Sequence, residues 1–582
     1  MHTFILGIII LFVGGAAYGH FCQNVFGPDD RKTPAFTKQD GVDFVPMPKW
    51  KNALINLLNI AGTGPILGPI QGILFGPIAF IAIPIGCVIG GAMHDYFCGM
   101  ISVREGGIQM PEVVKRNTNP VIHKLYTVFV CIVLFLIGVV FIYTPGDIAA
   151  TQVFGFGGTA GEASTWIIYS VIFVYYLIAT LFPIDKIIGR IYPIFGAVLL
   201  LSAVGVFVML FAKHYNLLDM IISDQTATVL SVLMIPVFAV IAYVVIAFYH
   251  KIAIDHKLDK VIGTVYFLFG IVIIIASIGI LVMLIARNYN LVNIWDGWAL
   301  NGFDFGAYFR SQRFIPTFFV TVACGILSGF HSTQITLVTR TVQSEKEGRF
   351  AFYNMMIAEG FIAMVWAAGT MAMIGVGAEN MGITMQMTET GVAYSAYVGG
   401  VLQRISATSV VGVVCRNMLG QAGGLIAIIG VIILPITSGD TALRSLRLIL
   451  ADALDIKQED PKKRILLSLP VFAAAYLVLI WAKNNANGFN TIWRYFGWSN
   501  QTLAVFALAS ITIWLMRHGK KKYLWVPLIP LVFYAFITCS YLMSASIGFS
   551  LPYRTSLVIG AVFAIAVGIA SIYGGKLKKT EE

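Results

Sequence analysis

The sequence predicts an all-α integral membrane protein with about 15 transmembrane helices, because apolar segments of spanning length recur along it. The chain has 582 residues, of which 58% are hydrophobic and only 12% are charged, whereas soluble domains carry about 25% charged residues. Apolar runs of about 17–25 residues can each cross a hydrocarbon layer of roughly 30 Å. Because an unpaired backbone amide is costly in lipid, such runs are expected to be helical.

The expected spans follow one another from the first residues to the C-terminal region. They are placed at 2–21, 52–72, 77–100, 121–143, 166–183, 190–212, 228–249, 261–286, 314–338, 352–376, 422–446, 465–482, 500–516, 523–545 and 553–574. No basic residue precedes the first apolar run, so 2–21 is interpreted as a retained helix and not as a cleaved signal peptide.

Basic residues lie mainly in alternate loops, and this asymmetry predicts the orientation of the chain. The basic loops contain Arg104, Lys115, Arg116, Lys186, Arg190, Lys251, Lys257, Lys260, Arg340, Lys346, Arg349, Lys457, Lys462, Lys463, Arg464, Arg517, Lys520, Lys521 and Lys522. The opposite loops 144–165 and 377–403 contain no Lys or Arg, although 287–313 contains three Arg. The positive-inside rule therefore places the C-terminus in the cytoplasm and the N-terminus outside. A net charge of +11 distributed in this way indicates membrane orientation, not nucleic-acid binding.

The segment 377–421 is expected to lie on the outer side. Within it, 392–412 is fairly apolar but rich in Ser, Thr and Gly. Counting 392–412 as a span would place Lys520 to Lys522 outside, against the positive-inside rule. A re-entrant or surface helix is therefore predicted there.

The first candidate site is Asn59-Ile-Ala-Gly-Thr-Gly-Pro-Ile-Leu-Gly-Pro69, inside an apolar run. Gly62 and Gly64 permit unusual backbone angles, and the two prolines lack amide donors. A helix broken at membrane depth exposes backbone groups, and transporters use such breaks to bind substrates. Asn59 and Thr63 add polar side chains. The alternative is a proline kink with a close helix contact.

Ionisable side chains also occur inside predicted spans. His94 and Asp95 lie in the third span, and Glu359 lies between Ala358 and Gly360 in the tenth. Such residues are expensive in lipid and often mark a proton pathway. The alternative for His94 and Asp95 is a snorkelling or capping pair near the cytoplasmic interface.

The motif Ser328-Gly-Phe-His-Ser-Thr-Gln334 interrupts the span 314–338 near its middle. Gly329 allows a break, and His331 and Ser332 offer hydrogen-bonding groups. A His with an ordinary pKa of about 6.5 can change its charge near physiological pH, so His331 is a candidate for both substrate binding and proton coupling. A histidine satisfied by packing is the alternative.

Thr437 and Ser438 follow the apolar run 425–435. Adjacent hydroxyls in a membrane helix can bind a small cation such as Na⁺, or they can bond back to their own helix. They are the candidate metal ligands.

Enzyme and pump motifs are absent. The sequence contains no GxxxxGK[ST], HExxH or GxSxG pattern. Neither an enzymatic activity nor a cofactor is expected, and a secondary transporter is favoured.

Several motifs occur in an order that strongly resembles the carbon starvation protein A family. They are Asp40-Gly-Val-Asp-Phe-Val-Pro, Asn59-Ile-Ala-Gly-Thr-Gly-Pro, His94-Asp95, Ser328-Gly-Phe-His and Phe496-Gly-Trp-Ser-Asn-Gln. The resemblance runs from about residue 30 to about residue 515. It implies an inner-membrane carrier of peptides or pyruvate, of the amino acid–polyamine–organocation superfamily.

The resemblance also implies a LeuT-like core made of two inverted five-helix repeats within a single membrane domain. The first repeat would cover 52–212 and the second 314–516, with the outer segment 377–421 inside the second. The additions would be the N-terminal helix 2–21, an inserted pair at 228–286 and two C-terminal helices at 523–574.

The expected function is proton symport of pyruvate or short peptides across the plasma membrane of a bacterium. The expected substrate site contains Asn59, Gly62, Thr63, Gly64, His331 and Ser332. The expected proton-coupling residues are His331, His94, Asp95 and Glu359. The alternatives are sodium coupling through Thr437 and Ser438, and a nutrient sensor that binds its ligand without transporting it.

Overall fold

The computed structural model describes residues 1–40, 44–181, 259–287, 289–374, 383–388, 391–398, 401–456, 461–485 and 488–577. The spans expected at 190–212 and 228–249 lie outside the described residues.

The described chain is mainly helical. Its principal helices are α1 (His2–Phe26), α2 (Lys49–Ile60), α3 (Gly64–Phe75), α4 (Ala79–Arg104), α5 (Pro120–Val153), α6 (Ala163–Leu181), α7 (Asp259–Ala286), α8 (Phe314–Thr321), α9 (Ala323–Ile326), α10 (Gly329–Val338), α11 (Glu345–Met373), α12 (Ala407–Ala453), α13 (Pro461–Asn484), α14 (Gly488–Arg517), α15 (Trp525–Ser544) and α16 (Tyr553–Lys576). Short helices cover Pro34–Thr37, Met110–Asn117 and Phe305–Ser311.

Within these residues, nine helices are long and apolar enough to cross a membrane, or ten if the bent pair α2 and α3 forms one span. The remaining difference from the expected number has identifiable sources. Helices α6 and α7 contain shorter apolar stretches, Ala163–Leu177 and Ile273–Ala286. The predicted span 314–338 is divided into α8, α9 and α10.

Two helices are broken where the sequence predicts breaks. Helices α2 and α3 meet at an angle of 52°, with Ala61 to Thr63 between them. Helix α9 ends before Leu327 and Ser328, which have extended backbone angles, and α10 begins at Gly329.

Helix α5 continues past the predicted end of its span at residue 143, although Pro145 lies inside it. A proline in a helix removes the hydrogen bond to the carbonyl four residues earlier, here that of Phe141. The Tyr176 hydroxyl donates to this carbonyl over 2.9 Å. The freed acceptor is thus satisfied, and α5 carries Asp147 as part of the helix.

The predicted surface helix at 392–412 is wrong for most of its length. Strands β3 (Ile383–Thr388), β4 (Gly391–Val398) and β5 (Val401–Ile405) form an antiparallel sheet with the order β3–β4–β5. Val392, Tyr394 and Tyr397 are β-branched or aromatic residues of the kind that strands favour. Helix α12 begins only at Ala407 and changes direction at Gly420, whose φ is 72°. A second, two-stranded hairpin pairs β1 (Ala299–Leu300) with β2 (Phe303–Asp304).

Small residues allow the last helices to pack closely. Ser556, Gly560, Ala564 and Gly568 are buried along α16 at intervals of four residues. A Cβ atom on Gly560 would lie 2.0 Å from Ser540 Oγ of α15. Close backbone approach through small residues is a common way for helices to associate in lipid, where hydrophobic burial between helices gives little.

Candidate functional site

Four ionisable side chains from three helices meet in the interior, and we call His94, Asp95, His331 and Glu359 the central cluster. All four side chains are fully buried. Asp95 Oδ1 lies 2.8 Å from His94 Nδ1, and Asp95 Oδ2 lies 2.9 Å from His331 Nδ1. His331 Nε2 lies 3.4 Å from Glu359 Oε2. His94 and Asp95 therefore do not form an interfacial capping pair.

With Asp95 ionised, the contact between His331 and Glu359 is favourable when one of the two groups carries a proton. When Asp95 is ionised, it can only accept hydrogen bonds, so the Nδ1 atoms of both histidines donate to it. A neutral His331 then presents a bare Nε2 to Glu359. Two acceptors would face each other unless either Nε2 or the carboxyl carries a proton. Neither Glu359 oxygen makes a hydrogen bond within the part of the chain that the structure describes.

The first break combines close packing with polar groups that lack partners. A Cβ atom on Gly62 would lie 2.4 Å from Phe141 Cζ, and one on Gly64 would lie 2.2 Å from Cys324 Sγ. Glycine is therefore required for packing at both positions. The Thr63 hydroxyl is buried and has no hydrogen-bond partner among the described residues. It lies at the N-terminus of α3, where the first backbone amides have no intrahelical acceptor.

The two breaks lie against each other. Cys324, which touches Gly64, belongs to α9, the half-helix before the second break. The backbone of Ile60, the last residue of α2, lies beside the His331 ring. Asn59, on the same turn, is only 5% exposed. The structure thus brings the predicted residues of both motifs into one region.

The Ser332 hydroxyl is bonded within its own helix in this conformation. It donates to the carbonyl of Gly329 over 2.6 Å. Thr333 bonds back to Phe330 in the same way, over 2.7 Å. Hydroxyls in membrane helices commonly make such bonds.

Ser438 lies next to the first break. Its hydroxyl donates to the carbonyl of Leu58 in α2 over 3.0 Å. This contact joins α12 to the half-helix that ends at the break. The Ser438 hydroxyl, one of the predicted cation ligands, therefore lies beside a backbone carbonyl oxygen. Small hard cations are bound by oxygen atoms of such groups.

Asn500 joins two helices across the second break. It lies inside α14, which begins at Gly488. Its Oδ1 accepts from the backbone amide of Phe330 over 2.8 Å. Asn500 therefore caps the N-terminus of another helix, α10.

A second buried charge cluster was missed by the sequence analysis, and we call Asp147 and Lys483 the peripheral pair. Lys483 Nζ lies 2.5 Å from Asp147 Oδ1, and the two side chains are 6% and 4% exposed. Ser406 and Thr408 donate their hydroxyls to Asp147 Oδ2. Lys483 also lies over the Tyr143 ring, 5.1 Å from its centroid. The pair joins α5, α13 and the start of α12.

Similarity to known proteins agrees with the order of motifs along the chain. Residues 1–541 match the family described as carbon starvation protein CstA. The chain belongs to the carbon starvation protein CstA family. An uncharacterized membrane protein of Haemophilus influenzae is 34% identical over 397 residues, which cover 63% of this chain and 89% of that protein.

Two relatives with functional names cover more of this CstA-family chain. The peptide transporter CstA of Campylobacter jejuni is 25% identical, covering 100% of this chain and 84% of that protein. The pyruvate/proton symporter BtsT of Escherichia coli is 24% identical, covering 86% of this chain and 75% of that protein. The family and these names identify a multi-pass membrane transporter and not an enzyme.

A crystal structure of a manganese transporter from Eremococcus coleocola superposes with a TM-score of 0.48 and 9% identity. The superposition covers 91% of this chain and 96% of that chain. The likeness is a distant one.

Proposed function

We propose that this chain is a proton-coupled symporter that imports a small organic solute, pyruvate or a short peptide, through the plasma membrane of a bacterium. The names of the two relatives above favour these solutes and, for BtsT, the proton. The distribution of basic residues favours an outer N-terminus and a cytoplasmic C-terminus. The proposed core has the two repeats 52–212 and 314–516, arranged as in LeuT.

The central cluster is the observation that carries the proposal. It contains two carboxyl groups and two histidines, and in the described part of the chain these carboxyls form ion pairs only with histidines. Its net charge therefore depends on how many protons it holds. A group of this kind, placed at a helix break, can gain and release a proton as the surroundings of the break change.

The proposed substrate site lies between the two breaks. The N-terminus of α3 offers Gly64 and the Thr63 hydroxyl to a substrate carboxylate, since helix N-termini favour anions. Asn59 and Gly62 would line the same break. His331 would meet the substrate from the second break, with Ser332 after its hydroxyl has left the Gly329 carbonyl. A protonated His331 would favour an anionic substrate, and release of both to the cytoplasm would couple their flows.

Replacing His331 by Gln tests this proposal, because glutamine keeps hydrogen-bonding capacity but cannot titrate. In proteoliposomes, His331→Gln is expected to retain counterflow of labelled pyruvate or dipeptide, which needs no net proton movement. It is expected to lose accumulation driven by an inward proton gradient. A variant that accumulates substrate as well as the parent does would contradict the proposal.

The parent protein serves first to identify the substrate. Counterflow of either pyruvate or dipeptides by the parent supports that solute class. Failure of both to exchange would mean that the proposed substrates are wrong. Ligand binding without any flux would instead support the sensor alternative.

Sodium coupling is the second candidate, and the contact between Ser438 and Leu58 favours it. The Ser438 hydroxyl, together with Thr437, would supply ligands beside the Leu58 carbonyl. Uptake would then follow a sodium gradient at constant pH, and Ser438→Ala would weaken it. Uptake that ignores sodium and collapses with a protonophore would eliminate this candidate.

A further inference from the structure

We propose that Asn500 is a positioning residue: from α14 it holds the N-terminus of α10 in place and thereby keeps His331 directed at Asp95 and Glu359. The inference rests on the proposed function, in which His331 couples proton and substrate movement. It concerns a residue that need not touch either of them.

Asn500 bridges the second break with every polar atom of its side chain. Its Oδ1 accepts from Phe330 N over 2.8 Å and lies 3.2 Å from Ser328 Oγ. Its Nδ2 lies 3.0 Å from Ser328 Oγ and 3.5 Å from Cys324 Sγ. One fully buried amide therefore contacts the end of α9, the break itself and the first turn of α10.

These contacts replace some of the backbone hydrogen bonds that the second break removes. Leu327 and Ser328 are extended, so the helical hydrogen-bond ladder does not continue from α9 into α10. The first amides of a helix need acceptors from outside the helix. A side chain from α14 supplies one of them here, whereas in most helices a residue of the same segment does so.

The backbone of α14 supports the same point of α10. A Cβ atom on Gly329 would lie 2.3 Å from both Asn500 O and Ala504 N. Gly329 thus allows two backbones to touch, and the Asn500 side chain fixes their relative position. The amide that Asn500 binds belongs to the residue just before His331.

A small displacement of the start of α10 is enough to break a hydrogen bond of the central cluster. The His331–Asp95 distance is 2.9 Å, and hydrogen bonds weaken steeply once they lengthen beyond about 3.5 Å or bend. If the start of α10 moved by about 1 Å, His331 would lose this bond, because such contacts tolerate little more. Asn500 thus acts on proton coupling through His331.

Gln501 provides a matched control on the same helix. It is also a fully buried amide, and neither Oε1 nor Nε2 makes a hydrogen bond within the described residues. Within the described residues, Gln501→Leu removes a buried amide without removing a hydrogen bond to α10. This variant is expected to accumulate substrate as the parent does.

The experiment compares Asn500→Ala, Asn500→Asp, Gln501→Leu, His331→Gln and the double variant Asn500→Ala/His331→Gln in the full-length protein. The probe is labelled pyruvate, or labelled dialanine if the parent exchanges only peptides. Asn500→Ala should lose proton-driven accumulation while keeping counterflow, as His331→Gln does. Asn500→Asp keeps an acceptor for Phe330 N and should restore accumulation. The double variant should match His331→Gln, because effects that act through one residue do not add.

The outcomes separate this inference from the proposed function. If His331→Gln loses accumulation but Asn500→Ala does not, or if the double variant loses the counterflow that both single variants keep, Asn500 does not act through His331. Asn500→Ala is replaced as the test if its unfolding temperature shows that it does not fold. The test then rests on Asn500→Asp, and a folded Asn500→Asp protein that does not accumulate substrate overturns the inference. If His331→Gln accumulates normally, the proposed function fails, and the route through His331 fails with it.

Discussion

The central cluster and the peripheral pair both bury carboxylates, but they satisfy them in different ways. Asp147 has a lysine at 2.5 Å and two hydroxyl donors. Glu359 has only His331, at 3.4 Å, and neither of its oxygens makes a hydrogen bond among the described residues. A carboxylate with a lysine and two hydroxyl donors has partners for both of its oxygens and holds its neighbours together. A carboxyl that faces only a histidine depends on a mobile proton for its partner.

The difference distinguishes buried charges that hold helices together, as in the peripheral pair, from buried groups that can change their charge, as in the central cluster. The peripheral pair ties α5, α13 and the start of α12 together through direct polar contacts. Histidine changes its charge within the physiological range, so the charge of the central cluster can vary during a transport cycle. The two regions should therefore respond differently to removal of a charged group.

The largest effect on stability is expected from Lys483→Met. Removing one member of a buried ion pair leaves the other charge uncompensated, at a cost of about 3–5 kcal/mol. Thermal or chemical unfolding of the purified protein in detergent measures this loss. The double variant Asp147→Asn/Lys483→Met removes both charges and should recover most of it. A double variant as unstable as Lys483→Met would mean that packing, and not charge, explains the effect.

Glu359→Gln is expected to change stability much less. Within the described residues, the Glu359 carboxyl makes no hydrogen bond that the amide would forfeit, so the free energy of unfolding should stay within about 1 kcal/mol of the parent value. Accumulation driven by a proton gradient should nevertheless fall to the level of passive equilibration, because glutamine cannot share the proton with His331. Asp147→Asn is the matched carboxyl-to-amide control, and it should be the less stable of the two proteins. The reverse order would contradict the comparison.

The smallest effect is expected from an ion pair on the surface. Lys346 Nζ lies 2.7 Å from Asp30 Oδ1, but the two side chains are 58% and 83% exposed. Exposed pairs contribute about 0–1 kcal/mol. Lys346→Ala should therefore shift the unfolding temperature by less than any of the variants above, and the shift should disappear at high salt. A loss as large as that of Lys483→Met would show that exposure is a poor guide to the energy of ion pairs here.

The sequence predicted the two helix breaks, because each depends on the backbone conformation of a few neighbouring residues. Gly62, Gly64 and Pro65 predicted the first break, and Gly329 predicted the second, because these residues limit or release the backbone at their own positions. His94, Asp95 and Glu359 were singled out by their cost in lipid, and His331 by the polar motif at the second break and by its ability to change charge near physiological pH. Their assembly into one cluster was not predicted, because it depends on the packing of α4, α10 and α11.

Long-range pairing explains what the sequence analysis missed. Asp147 and Lys483 lie just beyond the predicted ends of two spans, 121–143 and 465–482, where charged residues are ordinary. Their pairing depends on the continuation of α5 past Pro145, which brings Asp147 beside α13. Strands β4 and β5 lie where a re-entrant or surface helix was predicted within 392–412, because that prediction rested on membrane orientation alone. Val392 and Tyr394 alternate with the small residues Ala393 and Ser395, and this alternation indicates a strand.

The contact between Cys324 and Gly64 makes the Cys324 thiol a reporter of the separation of the two breaks. Cys324 is 7% exposed and lies where the two broken helices meet. A thiol in this position reacts with a small maleimide only while the two breaks are apart. In a variant that keeps Cys324 and lacks the other six cysteines, the alkylation rate would measure how often the breaks separate, and substrate or a change of pH would speed or slow it.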